Sequence, residues 1–288
     1  MPARLPLDHP PGRLMDRRRV LLLGGAALGV GVAGVGVWRA FADGTDDDGF
    51  ELIPDVPLGD ERLEQRDSAA RGKPVDFYTA VPEGHGDGKG LPVVLVLHGA
   101  SATAADFPRF GFGRFLTDAV RRGVPPFVLA GATGGRLRWE PSGADDPRRM
   151  AAEELPAWCA ERGFDTSRIA LWGWSMGGYG VLRLAERAPA AYRAVAAFSP
   201  AVARGDAVFA DAAKLAGLPV SLWCGRQDGF YAAVRELEGR IPGAKAAYAE
   251  GAHTRRYWNT ITPAAFDFLG HTLSPAGNSR PQESPSAR

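Results

Sequence analysis

Residues Trp172–Tyr179 read W-G-W-S-M-G-G-Y, and within them Gly173, Ser175 and Gly177 form G-x-S-x-G. Before this stretch lies Arg168–Trp172 (R-I-A-L-W), a compact apolar run with the character of a strand. After it, Met176, Tyr179, Val181, Leu182, Leu184 and Ala185 recur at mixed helical spacings through Arg187, and Pro189 stops the pattern. Strand, sharp turn and helix in that order give the motif its physical meaning. A serine on so tight a turn takes a strained backbone, and a side chain two places to either side would strike neighbouring backbone, so glycine is needed there. The motif alone recurs by chance in glycine-rich chains; its flanks make Ser175 a candidate nucleophile.

Outward from this turn the chain alternates between strand and helix patterns. Upstream, Arg71–Val81 alternates Val75, Phe77, Thr79 and Val81 as a first strand, and Leu91–Leu97 (L-P-V-V-L-V-L) is apolar throughout, as a strand covered on both faces is. Phe107–Arg122 reads as loop and helix, Phe127–Gly131 as a strand, and Asp146–Arg162 as a helix with Met150, Leu155 and Trp158 inward. Asp145 and Asp146 suit its start, where carboxylates complement the helix dipole. Downstream come strands at Tyr192–Phe198, Pro219–Cys224 and, more weakly, Ala244–Ala249. Helices fall at Asp206–Leu215, Tyr231–Arg240 and Thr262–Leu269. The expectation is an α/β fold, a single domain over 71–273 with a mostly parallel central sheet and helices on both faces. Only one loop and helix fit between Phe198 and Pro219, so no large lid is expected.

The 288 residues, 45% of them hydrophobic, suffice for one large core. A net charge of +1 gives no electrostatic reason to expect nucleic acid. The N-terminus reads differently from the rest. Arg17–Arg19 stands just ahead of Val20–Val37, an uncharged and glycine-rich apolar run, and Ala40-Phe41-Ala42 offers a small-x-small cleavage site. Residues 1–42 are therefore read as a twin-arginine-type export signal cleaved after Ala42, the alternative being an uncleaved N-terminal membrane anchor. Residues 43–70 are polar and read as a linker; 274–288, rich in Pro and Ser, read as a disordered tail. Cys159 and Cys224 fall in a helix and a strand pattern and are expected as buried free thiols. No metal site or cofactor motif is apparent.

A serine hydroxyl needs a base to accept its proton and a carboxylate to orient that base. Among the five histidines, His9 precedes the signal, His85 lies in a Gly-rich turn and His271 is near the tail. His253, in E-G-A-H-T after the strand at Ala244–Ala249, is the candidate base. His98 ends an apolar strand in H-G-A-S; together with Gly99 it is expected to shape a loop in which the N–H of Ala100, with that of Met176, faces a developing oxyanion. Asp228, in C-G-R-Q-D-G-F directly after Pro219–Cys224, is the candidate acid, ahead of Asp206 and Asp211 in a helical stretch. Phe107, Phe110, Phe112 and Trp139 follow strands and suit either a substrate pocket or the core. Arg136, Arg138, Arg148 and Arg149 suit solvated surface or an anionic substrate.

The stretches L-H-G-A-S, G-W-S-M-G-G-Y, G-R-Q-D-G-F-Y and G-A-H resemble the α/β-hydrolase fold. Within it the chain is similar to bacterial esterases of the esterase D type and to mycolyltransferase-like acyltransferases, over roughly Val75 to Leu269. Two departures stand out: Trp174 occupies the place before the serine where that family usually has histidine, and the histidine loop reads G-A-H-T. The resemblance implies transfer of an acyl group through an acyl-enzyme, without cofactor. Ser175 would attack, His253 would carry the proton and Asp228 would stabilise the imidazolium. An exported serine hydrolase acting on small-molecule or lipid esters is the expectation. An acyltransferase passing the acyl group to a sugar or lipid alcohol, with cell-envelope association, is the alternative, and a silent binding protein is the rival from another class.

Overall fold

A computed structural model describes residues 48–275; the residues read as an export signal and nearly all of those read as a disordered tail lie outside the described residues. Among the described residues eight strands form one sheet in the order β1-β2-β4-β3-β5-β6-β7-β8. They are β1 Glu61–Ser68, β2 Lys73–Ala80, β3 Pro92–Leu97, β4 Val128–Ala132, β5 Asp165–Trp174, β6 Val195–Phe198, β7 Val220–Gly225 and β8 Lys245–Ala249. β1 and β2 run antiparallel to their neighbours, while β4, β3, β5, β6, β7 and β8 are mutually parallel.

Alternation along the strands builds two cores, one on each face of the sheet. In β3, Val93, Leu95 and Leu97 face one side and Val94 and Val96 the other; in β5, Ile169 and Leu171 oppose Ala170, Trp172 and Trp174. Helices α1 (Phe112–Arg121) and α6 (Arg255–Leu273) cover the second face. The first is covered by α2 (Leu155–Glu161), α3 (Met176–Arg187), α4 (Ala207–Asp211) and α5 (Tyr231–Glu238). The helix expected over Asp146–Arg162 is present in three successive pieces, Pro147–Arg149, a π-helical turn Met150–Glu154, and α2. Its expected inner residues Met150, Leu155 and Trp158 are buried. Between β6 and β7 there is only α4 and a 3-10 turn, Ala212–Leu215, so no lid domain is inserted there among the described residues.

Two elements differ from the sequence reading. The stretch read as linker contains β1, whose residues E-R-L-E-Q-R-D-S show no apolar alternation because an edge strand with little burial on either face needs none. Asp48 and Gly49, the first described residues of that stretch, are anchored as well: Asn259 Nδ2 donates to both of their carbonyls. The last helix begins at Arg255 rather than near Thr262, capped by the Thr254 hydroxyl, which accepts from the Tyr257 N–H at 3.3 Å. Pro263 misleads here: its missing N–H suggests a helix start, yet it sits within a longer helix that tertiary packing holds.

Both cysteines are free and buried. Burial pushes the Cys159 thiol up to about 12 and the Cys224 thiol upward as well.

Candidate active site

Parallel strands end on the same side of a sheet, and the loops that leave β3, β5, β7 and β8 there carry His98, Ser175, Asp228 and His253. Ser175 follows β5 directly, with φ 56° and ψ −121°, a conformation that disfavours any L-residue by about 1–3 kcal/mol. The surroundings enforce it. Ser175 N–H donates to the Phe198 carbonyl, and its own carbonyl accepts from the N–H of Ala201, both at 2.9 Å. A Cβ on Gly177 would lie 1.8 Å from the Leu97 oxygen, and one on Gly173 would lie 2.5 Å from the Gly177 oxygen. The two glycines thus let the turn pass between β3 and its own helix.

Ser175 Oγ is 2.8 Å from His253 Nε2, and His253 Nδ1 is 2.8 Å from Asp228 Oδ2. A carboxylate can only accept, so the imidazole proton resides on Nδ1 and Nε2 presents its lone pair to the serine hydroxyl. The other Asp228 oxygen, Oδ1, accepts from the Phe230 N–H at 2.9 Å, and the Asp228 side chain has no exposed surface. The imidazole is held edgewise between Phe230 and Trp258, with ring centroids at 5.2 and 4.9 Å. Sequence reasoning did not single out this clamp; the aromatic residues after Asp228 and His253 were its visible trace.

The loop after β3 passes over the serine: a Cβ on Gly99 would be 3.3 Å from the Ser175 Cβ and 2.8 Å from Trp174 Nε1. His98 anchors the loop from beneath. Its Nδ1 donates to the Gly99 carbonyl at 2.8 Å, and its Nε2 accepts from the Gly134 N–H at 2.9 Å. Wholly buried, His98 has its pKa pulled down to about 4 and is neutral. Ala100 is the next residue of that loop. Met176 opens α3, where an N–H has no partner within the helix.

The alternative acids point elsewhere. Asp206 pairs with Arg138 and accepts from the Ala203 N–H, while Asp211 pairs with Arg183 and Lys214, whose hydrogen bonds hold its carboxyl down at about 2. Phe107, Phe112 and Trp139 are core residues, and Phe110 is 5% exposed. Trp139 packs edgewise on His98 and against Gly134 and Gly180. Arg138 stacks on Tyr179 at 4.2 Å, and Arg148 pairs with Glu140. Among the described residues no three His, Cys, Asp or Glu side chains gather as metal ligands would.

The sequence matches the family model "Putative esterase" over residues 68–268. The chain belongs to this esterase family. Among solved structures, an S-formylglutathione hydrolase from Agrobacterium tumefaciens superposes with a TM-score of 0.61 at 18% identity, covering 76% of this chain and 100% of its own. A ferulic acid esterase from Anaeromyces mucronatus, in complex with ferulic acid, gives 0.63 at 18% identity, with 80% and 96% covered. A fluorophosphonate-binding serine hydrolase of Staphylococcus aureus gives 0.61 at 15% identity, with 74% and 99% covered. At these identities the esterase shares a fold with them. No curated protein matches its sequence.

Proposed function

We propose that this esterase cleaves carboxylic esters through an acyl-enzyme on Ser175, with His253 as base and Asp228 as its orienting acid. The observation that carries the reading is the continuous relay of two 2.8 Å contacts from Asp228 through His253 to Ser175. Ser175 Oγ attacks the ester carbonyl as its proton passes to His253 Nε2. The imidazolium so formed is stabilised by the buried Asp228 carboxylate, and the oxyanion is received by the N–H groups of Ala100 and Met176. Collapse breaks the acyl–oxygen bond, and His253 returns the proton to the departing alcohol. Water then attacks the acyl-enzyme by the same steps, releasing the acid and free Ser175.

The test is turnover of p-nitrophenyl esters from acetate to long acyl chains, beside Ser175→Ala. Hydrolysis lost in the variant, with a fluorophosphonate labelling only the serine protein, supports the reading; equal turnover by both proteins refutes it. Repeating the reaction with trehalose or glycerol present and identifying the products distinguishes water from an alcohol as the acceptor.

Export through the twin-arginine route, with cleavage after Ala42, is part of the proposal and rests on Arg17–Arg19 and Ala40-Phe41-Ala42. N-terminal sequencing of the mature protein tests it: a start at Asp43 supports cleavage, and a start at Met1 in a membrane fraction supports the anchor.

A further inference from the structure

Two residues beyond His253, Arg255 opens α6 with its side chain in a box of aromatic rings. Its Cζ lies 3.8 Å from the centroid of Phe110, 4.6 Å from Trp174, 5.0 Å from Trp258 and 5.8 Å from Phe112. The residue is 8% exposed and its Nε is buried without an acceptor among the described residues. No carboxylate among the described residues pairs with it. The negative charges it senses are Asp48 and Asp106, and both of these hydrogen-bond Arg109 instead. Ring faces attract a cation but supply no acceptor lone pair, so the charge is only partly compensated. Burial lowers its affinity for its own proton, as expected of a cation lacking a counter-ion. A core requiring only volume at this point would be filled by an apolar side chain.

The box adjoins the reacting groups. Trp174 immediately precedes Ser175 and supports Gly99, and Trp258 packs on the His253 ring; these are two of the rings on which the guanidinium stacks. Within the Arg255 guanidinium, Nε alone is sealed away without a partner among the described residues. The two Nη atoms therefore form the edge left to a ligand, and a planar pair of N–H donors matches the two oxygens of a carboxylate.

We infer that Arg255 is the recognition group for an ester bearing a free carboxylate at the end of a short apolar chain, such as the monoester of a dicarboxylic acid. The rings hold the guanidinium in place, its Nη edge takes the carboxylate, and the ester carbonyl reaches Ser175. This inference rests on the hydrolase reading above and extends it to the class of substrate.

The experiment compares monoethyl esters of glutaric, adipic and pimelic acids with ethyl pentanoate, hexanoate and heptanoate, following acid release by pH-stat. Wild-type protein should favour at least one monoester over its neutral counterpart by about tenfold or more in kcat/KM, the worth of a charge-assisted hydrogen bond. In Arg255→Met that ratio should fall by about tenfold, mainly through KM, and Arg255→Lys should fall between because it keeps the charge but not the fork. Equal or better use of the neutral esters by wild-type protein overturns the inference without reference to any variant, while leaving the hydrolase reading intact. An unchanged ratio in a folded Arg255→Met also overturns it. If neither series is turned over and fluorophosphonate leaves Ser175 unlabelled, the hydrolase reading falls and the inference with it.

Discussion

Asp228→Asn removes one charge and almost no volume, and its effect is set by the hydrogen bonds on either side of the carboxylate. Oδ1 accepts the Phe230 N–H at 2.9 Å, whereas Oδ2 faces His253 Nδ1 at 2.8 Å. In the variant the amide oxygen must stay on the Phe230 side, since an NH2 there would oppose another donor. The NH2 group therefore faces Nδ1, which must become an acceptor, and the imidazole proton moves to Nε2. A protonated Nε2 cannot take the Ser175 proton, so the base is lost although every atom keeps its place. For a triad of this type the loss is about 10⁴-fold in kcat, or about 5 kcal/mol of transition-state stabilisation. The assay is kcat and KM for p-nitrophenyl butyrate, with Tm measured in parallel to show that the fold survives. KM should move little, because no contact proposed for substrate has changed. A variant retaining more than about a tenth of wild-type kcat would refute the tautomer argument. Loss of activity in Asp206→Asn instead would move the acid to a residue that here pairs with Arg138.

Gly177→Ala should fail to accumulate as soluble protein or should lose stability by several kcal/mol, because its Cβ would meet the Leu97 carbonyl at 1.8 Å; soluble yield and Tm read this. Neutral His98 makes stability depend on acid: its folded pKa of about 4 lies below the ordinary 6.5. The unfolded chain therefore binds more protons between these values. His98's contribution is complete above pH 6.5 and declines as pH falls toward 4, by up to about 3 kcal/mol. Thermal melts from pH 7 to 4 should show a component of that decline missing in His98→Gln. Both thiols should resist a thiol reagent in native protein and react once guanidinium unfolds it, as burial and raised pKa require; fast labelling of the native protein would contradict their placement.

Much of the molecule was legible in its sequence because the signals are local. The G-x-S-x-G spacing, the fully apolar β3 and the alternation of strand and helix patterns each report constraints acting within a few residues. They placed Ser175 on its turn and located the core sheet. Polar β1 escaped notice because an edge strand buries too little to impose a pattern. The full length of α6 was hidden by Pro263, whose local preference is overruled by packing across the helix.

By order and strand context, the sequence determined the fold class and nominated Ser175, Asp228 and His253. Only the tertiary structure decided that Asp228 rather than Asp206 or Asp211 faces His253, that Phe230 and Trp258 clamp the imidazole, and that Arg255, with no carboxylate partner among the described residues, lies among aromatic rings beside them. The physical reason is one of range. Backbone preference and hydrophobic period act between near neighbours, whereas hydrogen bonds and buried charge depend on side chains that come together only when parallel strands end at one edge.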